Sequence, residues 1–193
     1  MLSRRIRNHL LDSIQNLIKL KVLRTAATDV SELSIFVDGR KIAARFHVAH
    51  RISNAGYGLD RLHGHTYEIR LNLSGSRDAA FLFPFEEMMA IMSELATSLN
   101  NKVLLPVQGG NVVKTDDGSI TFVSADGRRY IFPKGDVVTL PLSEVTAEAL
   151  ANYILGEIRG KIKRSGVKTD SITGVELTLW EGNERGVEVR STL

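Results

Sequence analysis

The sequence has no cysteine among its 193 residues. Disulfides, thiolate metal ligands and a cysteine nucleophile are therefore excluded. Any transition metal that the chain binds must be held by histidine, aspartate or glutamate side chains. The five histidines are thus the first candidates for functional residues.

The sequence also lacks a strong charge and long apolar runs. The 25 basic and 22 acidic residues give a net charge of +3, too small to argue for nucleic acid binding. No apolar run approaches the roughly 18 residues that a membrane span needs. We therefore expect one cytoplasmic domain over residues 1–193, with neither a nucleic acid nor a membrane as partner.

The first 28 residues are basic and carry an apolar stripe. The stripe is made by Ile6, Leu10, Ile14, Leu17 and Ile18. This spacing predicts an extra amphipathic helix over residues 1–28. The segment is rich in arginine and has no acid before Asp12, so a resemblance to an organelle transit peptide is the alternative.

Strand patterns occur on both sides of a helical block. Two strand-forming runs flank Asp38-Gly39 in SELSIFVDGRKIAARFHVAH, which predicts a β-hairpin. Apolar and polar residues alternate from Tyr67 to Leu73, which predicts a half-buried strand. Two further strands are predicted in GVELTLWEG and GVEVRST, around a turn at Gly182-Asn183.

Two helices are predicted between these strands. Pro84 can open the first, and Thr146 can cap the second, with Glu148 in its first turn. Between them, short strand runs and glycine turns over residues 106–140 predict an inserted β meander. This order of elements predicts an α+β fold with an antiparallel sheet.

Three of the five histidines are placed where strands could bring them together. His63 and His65 are two residues apart and face the same way on an extended chain. His50 ends the preceding strand and completes a three-histidine cluster if the two strands are neighbours. Three imidazoles and one open position are the ligand set of a catalytic zinc. The alternative is that these histidines only satisfy hydrogen bonds or lie on the surface.

Several motifs resemble one family. FHVAH followed by LHGHTYEIRLNLSG is similar to the 6-pyruvoyltetrahydropterin synthase and 6-carboxytetrahydropterin synthase superfamily. FPFEEMMAIMSELATSLNNKVLLP, VTAEALANYI and GVELTLWEG resemble its first long helix, its second helix and its C-terminal strand. The resemblance covers residues 41–105 and 140–190, and so leaves out the N-terminal segment and the predicted meander.

The resemblance implies the tunnelling fold (T-fold), in which a four-stranded antiparallel sheet carries two helices on one face. It also implies ring-shaped homotrimers, commonly stacked as homohexamers, with sites at subunit interfaces. By position, the zinc ligands would be His50, His63 and His65. Glu181 would bind a pterin substrate through the amino and ring N–H groups, because a carboxylate can accept two parallel hydrogen bonds.

The resemblance also places Thr146 and Glu148 near the same pocket, as substrate-binding residues. For both, helix capping alone is the alternative.

The chain departs from the family at the proton relay. The synthases have a cysteine four residues before the first histidine of H-G-H, where this chain has Leu59. Their Asp-His pair after the first helix is replaced by Asn100 and Asn101. Neither leucine nor asparagine has a side chain that titrates near neutral pH, so the cysteine relay cannot operate here.

Asp60 is an acid that remains beside the missing cysteine. Family members that resemble dihydroneopterin aldolases carry a glutamate at this place, three residues before H-G-H. We therefore predict a zinc-dependent lyase that converts 7,8-dihydroneopterin or its phosphates to 6-hydroxymethyl-7,8-dihydropterin, with Asp60 as general base. A solvated loop acid is the alternative for Asp60.

Three other functions stay open for the whole chain. One is a catalytically inactive protein that binds pterin and zinc. Another is a synthase with an altered proton relay, and the third is a scaffold that binds neither metal nor pterin.

Overall fold

The computed structural model describes residues 32–42, 44–53, 55–76 and 81–193. The predicted helix over residues 1–28 lies outside these described residues. The strands are β1 Leu33–Asp38, β2 Arg45–His50, β3 His63–Gly75, β4 Lys102–Pro106, β5 Val112–Asp116, β6 Ser119–Val123, β7 Arg129–Pro133, β8 Val137–Leu140, β9 Ile172–Glu181 and β10 Arg185–Ser191. The helices are α1 Phe85–Leu99 and α2 Ala147–Arg164.

The main sheet has the strand order β10-β9-β3-β2-β4-β8, and β1 also pairs with β3. Strands β10, β9, β3, β2 and β1 pair antiparallel, as predicted for the α+β class. Strands β4 and β8 widen the sheet beyond the expected four strands. Strand β4 pairs in parallel with β2, and β8 pairs in parallel with β4. The α+β fold with two helices is thus confirmed, within a larger and mixed sheet.

The hairpin predicted at Asp38-Gly39 is wrong. Strands β1 and β2 pair with successive halves of the same edge of β3, so the chain continues along this edge instead of reversing. Gly39 lacks the positive φ that a tight hairpin turn requires. A Cβ on Gly39 would lie 2.1 Å from the carbonyl oxygen of Ile69. This glycine therefore permits a close approach to β3, and Asp38 caps a short 3-10 turn by accepting from the Arg40 amide at 3.1 Å.

The core lies between one face of the main sheet and the two helices. The alternating residues of β3 that begin with Tyr67 are buried there, together with those of β9. The helices contribute Met88, Ile91, Met92, Leu95, Leu150, Ile154, Leu155, Ile158 and Ile162. Because side chains alternate across a strand, His63 and His65 lie on the same covered face as Tyr67. Neither α1 nor α2, the helices of the described ranges, is long and apolar enough to cross a bilayer.

Strands β5, β6 and β7 form a separate antiparallel sheet, here called the small sheet. Ile120 and Phe122 of β6 form a second apolar cluster with Leu105 of β4, and Val137 of β8 packs against this cluster. The small sheet thus packs on the edge of the main sheet that β4 and β8 form.

Candidate metal centre and adjoining cavity

The strand register brings the three predicted histidines together. His50 lies directly opposite His63 in the antiparallel pair β2–β3, and His65 follows two residues later on the same face. The ring centroids are 4.6 to 5.2 Å apart. One ring nitrogen from each histidine lies within 4.8 Å of the other two, which is compatible with a shared metal ion.

The hydrogen bonding of these rings leaves nitrogens available for a metal. His63 Nδ1 lies 2.8 Å from the Arg61 carbonyl, which makes Nδ1 the donor and leaves Nε2 as the ligand atom. Nε2 of His63 and both ring nitrogens of His50 are buried without a hydrogen bond of normal geometry. Buried polar atoms without partners are costly, and a metal would satisfy them.

The protonation state of His50 also suits a metal ligand. Burial, followed by the proximity of His63 and His65, lowers the pKa of His50 to about 4, against the opposing effects of the Val145 backbone and Glu181. The imidazole is therefore neutral near pH 7, as a ligand must be. A set of three imidazoles with no thiolate fits a catalytic zinc with one open position.

A cavity of about 360 Å³ adjoins the histidines. Its lining contains His50, Ile52, Leu59, His63, His65, Thr146, Ala147, Glu148, Glu181, Arg185, Gly186 and Val187. The structure thus brings every predicted site residue except Asp60 to one cavity.

Glu181 ends β9 directly opposite Tyr67 of β3. The Tyr67 hydroxyl donates to Glu181 Oε2 at 2.9 Å, and Arg185 Nε donates to Oε1 at 2.8 Å. Nδ1 of His65 lies 3.7 Å from the same Oε1. Burial alone would raise the pKa of Glu181, but Tyr67, His65 and Arg185 outweigh it and hold this pKa below its ordinary value. Glu181 is therefore a carboxylate at neutral pH, with lone pairs left for further donors.

Thr146 and Glu148 reach the cavity from the start of α2. Thr146 Oγ1 accepts from the Ala149 amide at 3.2 Å, so it does cap the helix. Its hydroxyl proton stays available to donate into the cavity that it lines. The Glu148 carboxylate makes no hydrogen bond or ion pair within the described residues and lines the same cavity.

Asp60 lies outside the cavity lining. Its carboxylate forms an ion pair with Arg128, and its backbone carbonyl accepts from Arg51 and Arg128 at 2.9 Å each. The neighbouring Leu59 lines the cavity in its place. This geometry gives no support to Asp60 as the general base, because the carboxylate is held by a cation from the turn between β6 and β7.

Asn100 and Asn101 lie beside the edge of β2 that pairs with β4, and neither belongs to the cavity lining. Asn100 Oδ1 accepts from the His47 amide at 2.9 Å, and the Asn101 amide donates to the His47 carbonyl at 2.7 Å. The His47 ring lies 2.9 Å from Thr66 Oγ1 on the same side of the sheet. The two asparagine contacts join the end of α1 to the sheet, which is a structural role.

Two residues of the site were missed by sequence reasoning. Tyr67 continues the alternation of His63 and His65, so its place on the covered face was available from the spacing. Arg185 carries no comparable signal, because its contact with Glu181 depends on the turn that joins β9 to β10.

The comparisons with known proteins agree with this fold. The family model described as 6-pyruvoyl tetrahydropterin synthase matches residues 41–192. A Methanocaldococcus jannaschii protein is 30% identical over 134 residues, which are 68% of this chain and 81% of that protein. Its name gives the activity 6-carboxy-5,6,7,8-tetrahydropterin synthase as provisional.

Solved structures show the same fold. The 6-pyruvoyl tetrahydropterin synthase of Plasmodium falciparum superposes with a TM-score of 0.75 at 23% identity, covering 84% of this chain and 99% of that one. A Plasmodium vivax synthase variant with a catalytic glutamate changed to alanine gives 0.74 at 23% identity, with the same coverage. With the family match over 152 of its 193 residues, the chain belongs to the 6-pyruvoyl tetrahydropterin synthase family.

Proposed function

We propose that this protein is a zinc-dependent lyase that cleaves the side chain of 7,8-dihydroneopterin or its phosphates to give 6-hydroxymethyl-7,8-dihydropterin. The observation that carries the proposal is the placement of three histidine nitrogens within 4.8 Å of one another, beside a cavity that also contains Glu181. A metal-ligand set and a buried carboxylate acceptor in one cavity suit a planar, hydroxylated substrate.

His50, His63 and His65 would hold the zinc, each through one ring nitrogen. The bound ion would supply Lewis acidity, which polarises the hydroxyl groups of the substrate side chain and lowers their pKa. The chain itself fixes the ligand geometry, because the Arg61 carbonyl orients His63.

Glu181 would hold the pterin ring. Its carboxylate is kept in place by Tyr67 and Arg185, and its free lone pairs can accept from the ring N–H and amino groups. Burial and the carboxylate together raise the pKa of Tyr67, so the phenol stays protonated and continues to donate. The ring would thus be oriented with its side chain toward the histidines.

The reaction is a retro-aldol cleavage that needs no thiol. A base removes the 2′-hydroxyl proton, the C1′–C2′ bond breaks, and C2′ leaves as an aldehyde carbon. The electron pair of that bond enters the pterin ring, and a proton is then returned to C1′.

The group that moves these protons is either Asp60 or a cavity carboxylate. Glu148 lines the cavity and makes no ion pair within the described ranges, whereas Asp60 is paired with Arg128. The vivax relative has a catalytic glutamate, which supports a carboxylate in this role. We favour Glu148 on position, and a swing of Asp60 away from Arg128 is the rival assignment.

The proposal is tested by supplying 7,8-dihydroneopterin, its monophosphate and its triphosphate and identifying the products by mass spectrometry. Turnover by Glu148→Gln and Asp60→Asn is compared with that of the wild-type protein at equal zinc content. We expect Glu148→Gln to lose turnover while retaining the metal. If Glu148→Gln is fully active and Asp60→Asn is inactive, the proton transfer belongs to Asp60.

A second candidate is a protein that binds pterin and zinc without catalysis. Leu59 lines the cavity, and the Asp60 carboxylate is held in an ion pair with Arg128, so the segment before H-G-H offers no unpaired acid or base. This candidate requires pterin binding with no product from any of the three substrates. The names of the relatives also support a synthase with an altered relay, which would be recognised by a 6-pyruvoyl or 6-carboxy product.

We further propose assembly into a homotrimer or homohexamer. Strand β10 forms one edge of the main sheet over seven residues. Such an edge can pair with a strand of another copy. Light scattering on the purified protein would distinguish these assemblies from a monomer.

A further inference from the structure

Arg51 directly follows His50, and only 3% of its side chain is exposed. A buried guanidinium is costly unless its donors are satisfied. Its Nε donates to the Asp60 carbonyl at 2.9 Å, one terminal nitrogen donates to the Asp126 carboxylate at 2.5 Å and the other to the Ser53 hydroxyl at 3.3 Å. Arg51, which directly follows a histidine of the site, is thus bound both to Asp60 and to Asp126, which is 75 positions away in the sequence.

Arg128 repeats these contacts from the other side. One terminal nitrogen donates to the Asp60 carbonyl at 2.9 Å, the other pairs with the Asp60 carboxylate, and Nε lies 3.6 Å from the Asp126 carboxylate. Asp126 and Arg128 both belong to the turn 124–128 between β6 and β7 of the small sheet. We call Arg51, Asp60, Asp126 and Arg128 the arginine cluster.

The arginine cluster holds the loop of residues 55–62, which connects His50 at the end of β2 to His63 at the start of β3. Within this loop, the Leu59 amide donates to the Gly56 carbonyl at 2.9 Å and the Arg61 amide to the Gly58 carbonyl at 3.1 Å. Both glycines have positive φ, so the loop is a pair of tight turns. Its last turn presents the Arg61 carbonyl that accepts from His63 Nδ1.

We infer that the arginine cluster is a positioning device, through which the small sheet fixes the loop 55–62 and so orients His63 for the metal. The inference rests on the proposed function, because it takes the three histidines to be zinc ligands. Arginine suits this task because its planar fork can serve several acceptors at once, which an ammonium group cannot do in the same geometry. The small sheet thereby acts on the site without lining the cavity.

The first arm of the test uses metal-free protein and so does not depend on zinc. Asp126→Asn removes the charge that satisfies Arg51, and Asp117→Asn removes the same charge from an exposed turn of the small sheet. We expect the Leu59 and Arg61 amides to exchange hydrogen about tenfold faster in Asp126→Asn, with no change in Asp117→Asn. Equal exchange in the two variants would overturn the inference.

The second arm measures zinc affinity by competition with a chelator and the absorption spectrum of the cobalt-substituted protein. Loss of an outer hydrogen-bonding partner of a ligand typically weakens metal binding by about 10- to 100-fold. We expect zinc affinity to fall by this factor in Asp126→Asn and by a smaller factor in Arg128→Gln. Both variants should also have an altered cobalt spectrum. Arg129→Gln, a change at the neighbouring exposed arginine, serves as the control.

Arg51→Lys keeps the charge and loses the fork, so its zinc affinity should fall between those of wild type and Asp126→Asn. If Asp126→Asn does not fold, Arg128→Gln carries the test, because this arginine is 44% exposed. Wild-type zinc affinity and cobalt spectrum in both Arg128→Gln and Arg51→Lys would overturn the inference. If the wild-type protein itself binds no zinc, the proposed function fails, and the exchange arm still decides whether the arginine cluster holds the loop.

Discussion

Glu181→Gln is the substitution that most sharply tests how the cavity holds a pterin. The glutamine keeps the size of the side chain but replaces one carboxylate oxygen by an NH₂ group. In the wild-type protein, Glu181 accepts from Tyr67 on one carboxylate oxygen and from Arg185 on the other. The amide NH₂ would therefore face one of these donors, and only one oxygen would remain to accept from the substrate.

The expected loss can be worked from the hydrogen bonds involved. A hydrogen bond to a charged group contributes about 1.5 to 3 kcal/mol, and a donor that faces another donor adds a cost of about 1 to 3 kcal/mol. The two contributions together amount to about 2.5 to 6 kcal/mol, and a loss of about 3 kcal/mol already corresponds to a pterin Kd that is weaker by about two orders of magnitude. The His65 contact is longer, at 3.7 Å, so zinc binding should change far less than pterin binding.

The assay is fluorescence titration with an oxidised pterin, on zinc-loaded wild-type and variant protein. Glu176→Gln is the matched control, because Glu176 lies on the same strand, is paired with Arg190 and faces away from the cavity. Glu176→Gln should bind the pterin with the wild-type Kd. A Glu181→Gln Kd within about threefold of wild type would refute the assignment of Glu181 as the ring anchor.

Three further predictions concern other parts of the structure. Leu59→Cys places the only thiol of the chain in the cavity lining, so Ellman's reagent should modify it and bound zinc should slow the modification. Equal modification rates with and without zinc would contradict the position of residue 59 beside the metal. Gly39→Ala should lower the free energy of unfolding in urea by about 1 to 3 kcal/mol, because its Cβ would meet the Ile69 carbonyl. Gly135→Ala, where a Cβ meets nothing within 4 Å, should be near neutral, and equal losses in the two variants would argue against the close approach. Hydrogen bonds from the Ser124 hydroxyl and Arg51 hold the pKa of Asp126 at about 2 in the folded protein, below the ordinary 3.8, so its stabilising effect is complete above about pH 4 and is lost toward pH 2. The difference in Tm between wild type and Asp126→Asn should therefore shrink over this range, and a difference independent of pH would contradict the pairing.

The histidine cluster could be predicted from the sequence because strand alternation has only two faces. His63, His65 and Tyr67 must share one side of β3, and a neighbouring strand that ends in His50 can reach them. The fold class followed for the same reason, since local periodicity separates the strands from the helices.

The arginine cluster could not be predicted, because its members are far apart in sequence. Arg128 meets Asp60 across 68 positions, and no local pattern reports such a contact. The prediction of a hairpin at Asp38-Gly39 was wrong for a related reason. Asp38-Gly39 is typical of a turn, but here Gly39 lies between β1 and β2 and very close to β3. Whether the chain reverses at this dipeptide or continues along β3 depends on the tertiary pairing of both strands with β3.

The central claim is that a zinc ion held by His50, His63 and His65 is required for cleavage of a dihydropterin side chain. The most direct measurement follows 6-hydroxymethyl-7,8-dihydropterin by mass spectrometry, first with metal-free protein and then after addition of one zinc per chain. The account predicts no product without metal and, after zinc addition, product together with an equal amount of the aldehyde. Product formation at the same rate in both samples, or none from dihydroneopterin or its phosphates in the zinc-loaded sample, would contradict it.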